Sequence, residues 1–120
     1  MKLPGPDHPI TIRRSDKHVR VLAGDTVIAD TSRALALKEA SYPEVLYIPR
    51  ADTKLDLVTK TARTTHCPYK GDASYYTVNA GGKALENAIW SYETPFPAME
   101  EIRDYLAFYP DKVTIETAAG

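Results

Sequence analysis

The stretch Thr64-Thr65-His66-Cys67-Pro68-Tyr69-Lys70-Gly71-Asp72-Ala73-Ser74-Tyr75-Tyr76 decides how the chain is read. Pro68 fixes its own φ and pushes Cys67 towards extended geometry. Gly71 accepts a positive φ and lets backbone approach closely. Cys67 therefore ends a strand, Pro68 to Asp72 turns the chain, and Ala73 to Val78 begins a second strand. Its paired tyrosines suit a pleated sheet. Side chains alternate along a strand, so His66 and Cys67 point to opposite faces and Thr65 shares the face of Cys67. A Cys–His dyad of neighbours is thereby disfavoured. Lys70 is better placed, because the turn swings its ammonium back over Cys67, and a nearby cation favours a thiolate.

Outward from this turn the chain reads as short strands between turn clusters. Met1 to Pro9, with three prolines and a glycine, is an N-terminal arm, and residues 10–117 form a single β-rich domain. Ile10–Arg13 is a first strand. Val19–Leu22 and Thr26–Ala29 flank Gly24-Asp25 as a hairpin. Arg33 to Ala40 contains good helix formers, yet Leu35 and Leu37 alternate with small or charged neighbours. We read a strand, which puts Leu35, Leu37 and Glu39 on one face, with Glu39 at the rim or facing a pocket. Glu44–Ile48 is a further strand closed by Pro49 and followed by Arg50. Asp52 is expected to cap a helical turn running to Leu57. Thr59–Thr64 reads as a polar lead-in to Cys67. Ala84–Tyr92 pairs with Ala73–Val78 across Asn79-Ala80-Gly81-Gly82. Thr94–Pro97 is extended and unfit for a central strand. Ala98–Arg103 forms a helical turn. Tyr105–Tyr109 and Val113–Ile115 read as a hairpin about Pro110-Asp111-Lys112.

Composition narrows the class of function. With 43% hydrophobic and 26% charged residues in 120, the chain fits one globular domain. Its net charge of −1, without a basic run, argues against a nucleic-acid partner. No apolar run is long enough for a bilayer, and the N-terminus has no signal-peptide pattern. One cysteine forbids an internal disulfide and a zinc site built from CxxC pairs. These features point to the cytoplasm, without a metal, and leave cofactor and oligomeric state open.

The candidate site residues follow from chemistry and position. Cys67, Lys70 and Glu93 are the candidate catalytic groups: nucleophile, thiol-activating or anion-binding cation, and proton carrier. Glu39, Arg50, Gly71, Tyr76 and Trp90 are the candidate ligand-binding groups, Arg50 as a bidentate clamp for an anion. Each has a plainer alternative. A lone cysteine is a small buried hydrophobe, Trp90 and Tyr92 on one face are core, Lys70 is a solvated turn residue, and Arg50 makes a surface ion pair of little worth. A single site requires Glu39, Arg50, Cys67, Lys70 and Glu93 to converge.

Spaced motifs carry a family resemblance. Thr65-x-Cys67-Pro68-Tyr69-Lys70-Gly71-x-Ala73-x-Tyr75-Tyr76 resembles the signature of the family known as domain of unknown function 427. So do Tyr47-Ile48-Pro49-Arg50, Asn87-Ala88-Ile89-Trp90-Ser91-Tyr92 and Ala107-Phe108-Tyr109. The resemblance runs from about Val19 to Val113, and Ile89 stands where the family often has Ala. It implies a mainly β, β-tent-like fold of antiparallel sheets with one or two short helical turns. The zinc knuckles of other β-tent proteins need two CxxC pairs and do not carry over. Nucleotidyl transfer, which a family label suggests, would need a glycine-rich phosphate loop or paired metal-binding carboxylates, and neither is present. The function expected is a small-molecule or anion-binding pocket around the Cys-Pro-Tyr-Lys-Gly turn, and whether the thiol is used enzymatically is left open. The alternative is a protein-interaction domain with an aromatic surface.

Overall fold

The computed structural model describes residues 1–119. Among them are ten strands: β1 (Ile10–Arg14), β2 (Lys17–Ala23), β3 (Thr26–Thr31), β4 (Leu35–Glu39), β5 (Val45–Ile48), β6 (Val58–Cys67), β7 (Gly71–Ala80), β8 (Lys83–Ser91), β9 (Leu106–Phe108) and β10 (Thr114–Ala119). They form a seven-stranded sheet, β1-β4-β5-β9-β8-β7-β6, and a three-stranded sheet, β10-β2-β3. Every pairing of named strands is antiparallel. The fold is the mainly β one expected. Its helical content among the described residues is three short 3₁₀ segments, Arg50–Asp52, Leu55–Leu57 and Pro97–Ile102.

Alternation divides the core in two. One face of the large sheet sends Ile48, Tyr76, Val78, Ile89, Leu106 and Phe108 against Val19, Val21, Ile28 and Ala29 of the small sheet. The other face carries Leu37, Tyr47, Ala73, Tyr75, Tyr92 and Ala107, partly roofed by Met99 and Ile102 from the last 3₁₀ segment. Each fully buried aliphatic side chain contributes about 1.5–3 kcal/mol, so the two-sheet contact is the main source of stability. Within Arg33–Ala40 the strand is Leu35–Glu39; Leu37 is buried on the face it shares with Leu35 and Glu39, and Ala36 is buried on the other.

Three expectations are corrected. Thr59–Thr64 is the middle of β6, a ten-residue edge strand. β-branched threonines favour extended backbone, while Lys60 and Arg63 keep the open edge charged and discourage pairing with another chain. Tyr105–Tyr109 and Val113–Ile115 are not a hairpin. β9 lies between β5 and β8, whereas β10 crosses to pair with β2. Pro110 has no N–H for a ladder, and Val113 buries itself among the residues between the sheets. Asp52 caps no helix. Its carboxylate accepts hydrogen bonds from Thr31 Oγ1 (2.7 Å) and Arg33 Nη2 (3.0 Å), and the chain extends again as Thr53 bridges to Ala29. Among the described residues no helix is long and apolar enough to cross a membrane.

Candidate functional site

β6 and β7 close at the pair Cys67–Gly71. Gly71 has φ +111°, a conformation L side chains rarely adopt, and this lets the chain double back after Pro68-Tyr69-Lys70. Phe96 N then donates to Lys70 O at 2.9 Å. The turn drives Lys70 inward until the residue is only 7% exposed. Its ammonium donates to Glu39 Oε1 and lies 3.8 Å from Cys67 Sγ and 6.0 Å from the Tyr92 ring centre. Glu39 ends β4 on the face of Leu35 and Leu37 and thus meets the turn from across the sheet. Its second oxygen lies 2.8 Å from His8 Nε2, and the His8 ring stacks on Tyr69 at 4.1 Å and 7°. Lys2 N also donates to Pro68 O at 2.8 Å, so the N-terminal arm is tied to the turn. Burial pushes the Glu39 carboxyl up, but the hydrogen bonds from Lys70 and His8 outweigh it and hold the group below its ordinary value.

Beside this ion pair opens a pocket of about 660 Å³. Its walls include Glu39, Tyr47, Cys67, Lys70, Trp90 and Tyr92. Trp90 Nε1 donates to Tyr47 Oη at 3.3 Å, and the indole tilts against Tyr109 with ring centres 4.5 Å apart. Burial pushes the phenols of Tyr47 and Tyr92 well up, so both stay protonated at ordinary pH. Further along the wall, Tyr75 Oη lies 2.9 Å from Thr65 Oγ1 and receives a hydrogen bond from Tyr109 Oη at 3.4 Å, with the Arg63 guanidinium 4.9 Å from the Tyr75 ring centre. Burial raises Tyr75, but bonds to Thr65, Tyr109 and Arg63 bring it below its ordinary value; burial and Tyr75 push Tyr109 up to about 12.

A second polar cluster occupies the opposite face of the same sheet. Glu93 Oε1 accepts from Lys60 Nζ (2.7 Å) and Ser74 Oγ (3.0 Å), and its Oε2 accepts from Arg50 Nη2 (3.1 Å) and from the Tyr76 hydroxyl. Arg50 Nη2 also reaches Tyr76 Oη and Ser91 Oγ, each at 3.2 Å, and Arg50 Nε donates to Asp104 O at 2.6 Å. Burial would raise the Glu93 carboxyl, but hydrogen bonds from Lys60, Tyr76 and Ser74 and the Lys60 charge prevail and hold it at about 2. Burial, with the bond to Glu93, pushes Tyr76 up.

The candidate residues thus fall into two groups. Glu39, Cys67 and Lys70 meet in the pocket, where Trp90 forms a wall and Gly71 shapes the turn. Arg50, Tyr76 and Glu93 meet one another behind it, and none of the three lines the pocket. Sequence reasoning passed over His8, Tyr47, Tyr75, Tyr92 and Tyr109 as site residues. The shared face of Trp90 and Tyr92 was a usable signal for Tyr92, whereas Tyr47 needs the pairing of β5 with β9, which is not local. Among the described residues no three His, Cys, Asp or Glu side chains stand close enough to hold a metal ion.

These features define a two-sheet antiparallel β domain whose aromatic pocket ends in a buried Lys–Glu pair and a thiol. A family model described as Domain of unknown function (DUF427) matches residues 11–119, and the chain belongs to that family. A search of the curated proteins gives no match.

Proposed function

We propose that the domain binds a small molecule in the pocket beside the Cys67–Gly71 turn. The observation that carries this reading is a concave, aromatic-walled space of about 660 Å³ with a thiol and an ion pair at one end, the pair's side chains 9% and 15% exposed. Binding sites for small molecules have this size and this mixture of apolar wall and few polar groups. Cys67 serves as nucleophile or polar anchor, with Lys70 Nζ 3.8 Å from its sulfur. Glu39 already matches the Lys70 charge, which supports a neutral ligand over an anion. The reading includes a cytoplasmic location, where a thiol in this position stays reduced. A partner surface built from aromatics is less well supported, because Tyr47, Tyr75 and Tyr92 are buried and the exposed large apolar residues are Met1, Leu3, Tyr42 and Leu55.

Trp90 is the only tryptophan in the chain and stands in the pocket wall. A panel of small aromatic compounds titrated against its fluorescence, with backbone amide shifts recorded in parallel, tests the reading. Saturable quenching with shifts at Cys67, Lys70 and Tyr92 is expected. A panel that leaves Trp90 and these amides unmoved would refute it.

A further inference from the structure

We infer that a second cleft, which shares the Tyr75–Tyr109 wall with the first pocket but holds neither Cys67 nor Lys70, is a binding site for an aromatic carboxylate. The cleft has about 330 Å³ and is lined by Arg63, Tyr75, Asn87, Tyr109, Asp111 and Lys112. Two irregularities of the sheet build it. The β6–β7 register breaks between Lys60 and Thr64, which leaves Arg63 in a bulge, where side chains are re-aimed. The Arg63 guanidinium lies over the Tyr75 ring, 4.9 Å from its centre. Across β7, Asn87 takes φ +52° where the β7–β8 register also breaks, a left-handed conformation that asparagine adopts more readily than most residues. The two meet at Thr61. Arg63 N donates to Thr61 Oγ1 at 3.3 Å, and Thr61 Oγ1 donates to Asn87 Oδ1 at 2.7 Å. Lys112 closes the third side. Its ammonium donates to the carbonyl of Glu86, the residue before Asn87, at 2.7 Å. Its backbone N donates to Tyr109 O at 3.0 Å, and Tyr109 N donates to Ala88 O, just after Asn87, at 2.9 Å.

The cleft is rich in donors. Among the described residues neither Arg63 nor Lys112 pairs with a carboxylate. The Arg63 fork leans on Tyr75, and the Lys112 ammonium has hydrogens beyond the one given to Glu86 O. Thr61 occupies the Asn87 oxygen, so the Asn87 amide has its N–H₂ to offer. Asp111 is the one carboxylate in the lining. Two cations against one anion leave a single positive charge, which decides the ligand. A carboxylate brings one negative charge and a planar oxygen pair that a guanidinium fork matches. A phosphate dianion brings a second negative charge, repelled by Asp111. A primary amide brings donors to a cleft already full of them. The two tyrosine rings in the wall, near-parallel at 10° with centres 6.5 Å apart, favour a flat apolar body attached to the carboxylate. The site lies apart from Lys70, whose charge Glu39 already matches.

The test titrates benzoate and benzamide, nearly equal in shape and different by one charge, into ¹⁵N-labelled protein. The Arg63 Nε–H and Asn87 side-chain amide signals read the cleft directly, so the result does not depend on what fills the pocket beside Cys67. Benzoate is expected to move both signals saturably and to bind roughly 3- to 20-fold more tightly than benzamide at low salt. That preference should shrink in about 0.5 M sodium chloride. Arg63→Gln should abolish the preference, and Lys112→Gln should weaken benzoate binding by roughly 2- to 5-fold. Asp111→Asn removes the opposing charge and should tighten benzoate binding by roughly the same 2- to 5-fold factor. All three side chains are on exposed residues, so the variants keep the fold. Equal binding of the two compounds overturns the inference, as does a failure of benzoate to move the Arg63 and Asn87 signals. A preference for benzoate that survives Arg63→Gln, or an Asp111→Asn protein that binds benzoate no more tightly, overturns it too. Benzoate that shifts Cys67 and Lys70 but not Asn87 places the anion in the other pocket and overturns the inference. Inorganic phosphate that moves the same signals at lower concentration than benzoate overturns the carboxylate class.

Discussion

Replacing Glu93 with glutamine keeps the side chain's shape and one oxygen acceptor but deletes the charge that Lys60, Arg50, Ser74 and Tyr76 surround. In the folded protein this carboxyl lies at about 2, against an ordinary value of 4.5. That fall corresponds to about 3 kcal/mol of stabilisation of the ionised form. Lys60 is more than half exposed, so water screens part of the contribution, and about 2 kcal/mol remains. A carboxyl held below its ordinary value stabilises the fold fully above pH 4.5, and the contribution disappears as pH falls through about 2. Urea unfolding of wild type and Glu93→Gln from pH 7 down to pH 2 measures it. At pH 7 the variant should be less stable by about 2 kcal/mol, and the two curves should approach each other between pH 4.5 and 2. A variant as stable as wild type at pH 7 would refute the reasoning, as would a deficit that persists unchanged at pH 2. In either case the network would owe its geometry to something other than the Glu93 charge.

Two other substitutions probe the pocket side. Lys70→Met leaves Glu39 buried with only His8 as partner and should cost about 3 kcal/mol of unfolding free energy; at pH 7 it should also slow alkylation of Cys67 by iodoacetamide, and a thiol that reacts equally in both proteins, or stays silent until unfolding, would remove Cys67 as nucleophile. Gly71→Ala meets its nearest neighbours, Phe96 N and Thr94 O, at 3.5 Å, so space is adequate, but φ +111° is strained for alanine; a loss of about 1–3 kcal/mol is expected in thermal unfolding, and an unchanged midpoint would show that the turn does not need the glycine.

What was legible in the sequence was local. Pro68 and Gly71 marked the turn, and the spacing of three residues from Cys67 to Lys70 was enough to bring the ammonium back over the sulfur. Alternation in Leu35-x-Leu37-x-Glu39 put a carboxylate on a buried face, and the structure fills that place with the partner of Lys70. The misread segments lacked such signals. Thr59–Thr64 has no apolar alternation because an edge strand buries little of either face. The two runs around Pro110-Asp111-Lys112 look like hairpin arms, and only the competition of β5 and β8 for β9, and of β2 for β10, separates them. His8 sits among prolines far from the turn in sequence. Its role appears only once Tyr69 and Glu39 stand side by side.

The division of the candidate residues between two faces follows from the same alternation. Tyr75 and Tyr76 are adjacent in β7, yet one lines the pocket and the other joins Glu93. Trp90 and Tyr92 line the pocket, while Ser91 and Glu93 bind Arg50 behind it. The rear cluster joins β6 through Lys60, β7 through Ser74 and Tyr76, and the segment after β5 through Arg50. It therefore fixes, from behind, the strands that present Cys67, Tyr75 and Trp90 in front. A slip of one residue in β7 or β8 would exchange the faces, placing Tyr76 in the pocket and an indole among the charges. Such a slip would bury an unpaired carboxylate and break the pocket wall at once. The Arg50–Glu93 network thus bears on the pocket without touching its ligand, by holding the register on which the positions of Tyr47 and Tyr92 depend.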